Sequence, residues 1–164
     1  MIKQTYPIIE QLILNALQLA QQLHQELNRE ADALKKTQQA ELINNIAANK
    51  KQLVVQLEQF NTQITQVLAT EQLPNNQESI KEYFKRAETA GLLPAQSIGN
   101  WAQLMIACAE CRNLNEQNGA GIDLLSRHTK RSLDILKGKP EFANTYGSDG
   151  STQSDRYTHT LISV

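Results

Sequence analysis

At 164 residues, the chain has room for one domain with a hydrophobic core and is short for two. Its 16 Lys and Arg against 17 Asp and Glu leave a formal net charge of −1, without the clustered basic excess of a nucleic-acid-binding surface. Hydrophobic residues make up 40% and aromatics 5% while Gln and Asn abound, a balance suited to long solvated helices, and no apolar run reaches the roughly 18 residues of a membrane span.

The first residues, Met1 to Pro7, lack the basic start and apolar run of a signal peptide, so a cytoplasmic protein without direct membrane insertion is expected. Two cysteines are too few for a disulfide scaffold. Between Ile8 and Leu73 there is neither Gly nor Pro. Ile9, Leu12, Ala16, Leu19, Leu23 and Leu27, followed by Ala31 and Leu34, recur at three- and four-residue steps and predict an amphipathic helix with Pro7 in its first turn. A second stripe, Leu42, Ile46, Leu53, Leu57, Phe60, Ile64 and Val67, predicts another. A single helix of about 60 residues would span roughly 90 Å and be hard to bury. The expected turn is therefore near Lys35–Gln38, with Thr37 capping the second helix and Glu41 in its first turn.

Leu73-Pro-Asn-Asn76 reads as a loop. A short helix follows, with Ile80, Tyr83, Phe84 and Ala87 on its apolar side and Gly91 just past its end. Pro94 and Ser97 open the last long helix. Its stripe runs Trp101, Leu104, Cys108, Cys111, Asn115, Asn118, Ile122, Leu125 and Leu136, flanked by Met105 and Leu133, until Gly138 and Pro140 stop it. The polar tail beyond is too rich in Gly, Ser, Thr and Asp to bury much, although it ends in Leu161-Ile-Ser-Val164. The expected fold is all-α: an antiparallel bundle of about three long helices plus one short helix over residues 1–138, with a flexible C-terminal tail over 139–164. No repeat and no strand period is evident.

Cys108-Ala-Glu-Cys111 has the spacing of a redox pair or half a zinc site. A redox motif would want a βαβ pattern, zinc would want two more ligands, and His24, His128 and His159 are scattered; two small residues on a helix seam is the simpler reading. No Glu-x-x-His pair, phosphate-cradling loop or nucleophile beside a base appears, so no catalytic residue, metal or cofactor is expected. Arg127, His128, Lys130, Arg131, Lys137 and Lys139 suit a helix C-terminus, where cations complement the macrodipole. Asn115, Asn118 and Gly119 stand out more, because Asn and Gly both weaken a helix interior. Two readings stay open: a buried Asn that fixes register, or a seam that a partner helix covers.

Leu114-Asn-Glu-Gln-Asn-Gly119, Leu133–Leu136, Thr145-Tyr-Gly-Ser-Asp-Gly150 and the Ile-Ser-apolar ending resemble the C-terminal signature of the FlgN family of flagellar type III export chaperones. Glu30 and Leu34, then Leu42, Lys50 and Leu53 through Leu57-Glu58, are similar to that family's first hairpin. Ala120 and Gly121 depart from it, standing where members often carry larger apolar residues. The resemblance implies a helical bundle that binds C-terminal helical segments of hook–filament junction proteins, prevents their premature assembly and delivers them to the cytoplasmic domain of the export-gate membrane protein. It implies cargo contacts at Leu114, Asn115, Asn118, Gly119, Ile122, Leu125, Leu133 and Leu136, and gate docking through Tyr146, Gly147 and Gly150. The alternative from another class is a structural coiled-coil adaptor that homodimerises through the same seams, and self-association of the cargo-free chain stays open.

Overall fold

The computed structural model describes residues 1–36 and 39–136 together with Ile162 and Val164; for 125, 128, 129 and 131–136 it describes the backbone alone. Helix α1 spans Ile2–Leu34, α2 Ala40–Thr70, α3 Gln77–Thr89 and α4 Ala95–Leu136. No strand occurs among the described residues. The turn between α1 and α2 falls where expected. The N-cap of α2 is Gln39, with Glu41 in the first turn, while Thr37 lies outside the described residues.

The start of α1 corrects the sequence reading. The helix begins at Ile2, so Pro7 sits inside it rather than in its first turn, and the Lys3 carbonyl loses the N–H that would ordinarily bond to it. Tertiary contacts hold the early turn in place. Thr5 Oγ1 donates to Glu71 Oε1 at 2.7 Å and lies 2.9 Å from the Tyr83 hydroxyl. The Tyr6 hydroxyl reaches Ser97 Oγ at 3.2 Å and the Leu93 carbonyl at 3.4 Å. Both residues are buried, so packing outweighs the local cost of the proline.

Helix α1 lies between two partners. Its buried face includes Ile9, Ile13, Ala16, Leu17, Ala20, Leu23 and Leu27, wider than the single stripe expected, because α2 covers one flank and α4 the other. Full burial of each Leu or Ile contributes on the order of 1.5–3 kcal/mol. Among the described residues, α2 and α4 scarcely touch each other.

Helix α2 runs antiparallel to α1, as the pairs Glu30–Lys50 and Thr5–Glu71 show. It ends in a tight reversal: Leu73 N–H bonds to Leu68 O at 2.9 Å, with Gln72 at φ 59°. The short helix α3 follows, capped by Asn76, whose Oδ1 accepts from Ser79 N at 2.8 Å. Ile80, Tyr83, Phe84 and Ala87 are all buried, as their spacing predicts. Gly91 stands at φ +83°, and Leu92 N–H reaches Ala87 O at 3.0 Å, closing a Schellman motif that only glycine enters without strain.

Helix α4 then runs parallel to α1. Tyr6 pairs with Ser97, Ala20 O with Cys111 Sγ, and Leu27 O with Asn118. An antiparallel bundle therefore describes α1 with α2 and not α1 with α4. Gly121 lies beside Leu34, the last residue of α1, where an added Cβ would come 3.6 Å from Leu34 Cδ1. Beyond it, residues 122–136 carry α4 roughly 22 Å past the end of its partner.

Of the tail, which the sequence leaves free either to extend or to fold back onto the bundle through its apolar end, only Ile162 and Val164 are described. Ile162 is 4% exposed and joins the core cluster, and Val164 packs against it. The helix stop at Gly138 and Pro140 and the domain division at 138 lie outside the described residues.

Candidate functional site

Three features meet along α4: a buried polar cluster, a groove beside it and the overhang beyond. The cluster forms because two charged residues occupy apolar-stripe positions. Glu30 follows Leu23 and Leu27 on α1, and Lys50 lies between Ile46 and Leu53 on α2. Glu30 is 1% exposed. Lys50 Nζ donates to both its carboxylate oxygens, at 3.0 and 2.8 Å. Asn118 is buried on α4 and donates through Nδ2 to Leu27 O at 2.8 Å and to Glu30 Oε2 at 2.9 Å. Asn115 is exposed, and its Oδ1 accepts from Lys50 at 3.3 Å. Lys50 thus ties all three long helices together. One buried ion pair, with an asparagine amide donating to both Leu27 O and Glu30, fixes the register of α4 on α1, because a one-turn slip would strand Glu30.

Beside the cluster runs the groove left where α2 and α4 fail to meet. Leu23 and Leu27 of α1 form its floor, Ala47, Lys50, Lys51, Val54, Val55 and Glu58 of α2 one wall, and Cys111 and Asn115 of α4 the other. About 430 Å³ stays open, and Val164 lines it as well.

The overhang has a different character. Every described side chain from Ile122 to Lys130 is exposed, including Ile122 at 38% and Leu124 at 57%. Both are large apolar side chains held in solvent on the part of α4 that runs past the end of α1.

The structure distributes the expected cargo residues among these features. Leu114 is half-buried against the core, Asn115 lines the groove, and Asn118 bonds within the chain. Gly119 has nothing of its own chain within 4 Å of where a Cβ would lie. Close packing inside the bundle therefore does not explain it, and that side of the helix is open to a partner backbone. Ile122 is on the overhang; Leu125, Leu133 and Leu136 share that segment, but their side chains lie outside the described ones. Tyr146, Gly147 and Gly150 lie wholly outside the described residues. Sequence reasoning expected a groove beside the last long helix but missed Glu30 and Lys50 as part of a site. The usable signal was one acidic and one basic residue, each interrupting an otherwise apolar stripe.

Cys108 and Cys111 are both free and buried. Burial, with a smaller contribution from Cys111, pushes the Cys108 thiol up to about 12. Burial, with a smaller contribution from Glu110, takes Cys111 to about 11. Both stay protonated at neutral pH and lack the thiolate that nucleophilic or redox chemistry needs. Stability from keeping them neutral is present below about pH 9, where unfolded thiols begin to ionise, and is lost as pH rises through the folded values. At pH 8, native protein should therefore show negligible reaction with a thiol-specific chromogenic disulfide, and denatured protein should react rapidly at both. Rapid labelling of the native state would contradict the burial. Among the described residues, no group of three or more His, Cys, Asp or Glu is arranged to hold a metal. No helix among them is long and apolar enough to cross a membrane.

A family model described as FlgN protein matches residues 1–154 of the chain. No curated protein and no solved structure matches it.

Proposed function

The chain belongs to the FlgN family of flagellar export chaperones, and on that premise we propose that it binds C-terminal helical segments of hook–filament junction proteins along α4. The observation that carries this reading is the overhang of α4, whose apolar Ile122 and Leu124 stand exposed beyond the end of α1. An amphipathic cargo helix laid against this segment would bury its apolar stripe through anchors three and four residues apart. Ile122, Leu125, Leu133 and Leu136 supply the chaperone's side of the contact. Leu114 and Asn115 border it toward the bundle, and Gly119 allows close backbone approach. Asn118 contributes by holding α4 in register rather than by facing the cargo, since Leu27 and Glu30 already engage its amide. Covering the cargo's assembly helices keeps them from associating early.

Delivery would use the segment containing Tyr146, Gly147 and Gly150. An aromatic ring on a Gly-flanked, polar stretch suits anchoring in a partner's pocket, and the partner would be the cytoplasmic domain of the export-gate membrane protein. Binding in solution to that domain and to junction-protein C-terminal peptides tests both halves. Wild-type protein should bind both. Tyr146→Ala should keep the melting temperature and cargo affinity while losing at least tenfold in gate affinity. A drop of several degrees in melting temperature, or intact gate binding, would reject the anchor role. Failure of the wild type to bind any junction-protein peptide would reject the cargo reading.

A further inference from the structure

We propose that the groove between α2 and α4 is a peptide-binding groove whose resident ligand is the chain's own tail, anchored by Ile162 and Val164, and that this latch opposes cargo capture until it is displaced. Ile162 is 4% exposed and part of the core cluster. Its carbonyl accepts from Asn61 Nδ2 at 3.1 Å, on the turn of α2 next to Glu58. Val164 sits further along, against the stretch lined by Leu23, Leu27, Val54 and Cys111. Asn61 Oδ1 is buried without a hydrogen-bond partner. The groove thus has an apolar floor, and one turn beyond its Glu58 wall a side-chain amide holds the tail's backbone.

The occupant does not fill its site. About 430 Å³ remain beside Val164, so a segment with larger apolar side chains has more surface to bury there. The occupant is also tethered. From the end of α4, the intervening chain easily spans the return to the groove at about 3.3 Å per residue. Tethering gives an effective concentration on the order of millimolar, so a free peptide must bind well to displace the latch. A cargo helix extending from Ile122 toward Asn115 runs into this groove. The opposition to cargo rests on the cargo reading above; occupation of the groove by the tail does not.

The test uses the full chain carrying Ile162→Asp, with Val164→Asp as a milder variant, each checked for helical circular dichroism and melting. A fluorescein-labelled peptide of residues 158–164 is added in trans. The variants should bind it at least tenfold more tightly than the wild type, whose groove is already filled, and adding Val55→Glu on the exposed groove wall should abolish that binding. Equal binding by wild type and variant, or none by a folded variant, overturns the latch. In a second arm, affinity for a junction-protein C-terminal peptide should rise several-fold in the variants. Unchanged cargo affinity in a variant that takes the tail peptide overturns the opposition to cargo. Absence of cargo binding in every form instead sinks the cargo reading, and the tail-peptide arm still decides occupancy.

Discussion

Replacing Lys50 with Met should destabilise the fold by about 3–5 kcal/mol, because it leaves the Glu30 carboxylate buried without its counter-charge. The two side chains are 18% and 2% exposed, so solvent offers little compensation. Of the charge-assisted bonds to Glu30, only that from Asn118 would remain. For a chain of this size, about 3 kcal/mol corresponds to a fall in melting temperature of roughly 6–12 °C. The double variant Glu30→Leu, Lys50→Met should recover most of the loss, since exchanging a buried ion pair for apolar groups of similar volume is often neutral or better. Urea denaturation of the wild type, both single variants and the double variant would give the coupling energy directly. Additive effects of the two substitutions would show that the pair does not act as a unit.

Changing Ile122 to Glu should weaken cargo binding by about 30-fold or more, the affinity equivalent of a contact worth roughly 2 kcal/mol. The same change should leave stability within about 0.5 kcal/mol of the wild type, because the side chain is already 38% exposed on the overhang. That separation distinguishes a docking surface from a core position. Calorimetric titration with a junction-protein C-terminal peptide would read the affinity, and thermal unfolding the stability. Full-strength binding by the folded Ile122 variant would remove that residue from the contact.

Much of the bundle was legible wherever local chemistry and packing agree. Gly91 sits just past the end of α3 because a left-handed residue is needed there, whereas Asn76, read only as part of a loop, proves to be the helix's N-cap. The stripe from Leu104 through Cys111 is buried as its spacing predicts. The start of α1 was not legible, because Pro7 marks a first turn by local rules while Thr5 and Tyr6 are held by residues far away in sequence. The width of α1's buried face depends on its having two partners, which no period in its own sequence reveals.

The polar seam shows the same division. Asn118 was conspicuous, and register fixing was one of its two readings, but its acceptors Leu27 O and Glu30 come from another helix. A groove beside the last long helix was expected, but its walls were not legible for a related reason: they stand where α2 and α4 scarcely touch, and Val164, which lines it, comes from the far end of the chain. Ile162 and Val164 were recognisable as apolar; where they dock depends on the tertiary arrangement.

The central claim is that cargo covers the overhanging part of α4. Amide hydrogen exchange of the full chain, with and without a saturating junction-protein C-terminal peptide, tests it most directly. Residues 122–136 extend past α1 and should exchange readily in the free protein, then become strongly protected on peptide addition, while the α1 segment from Ile9 to Leu27 changes little. Protection confined to other helices, with 122–136 exchanging as freely as before, would contradict the account.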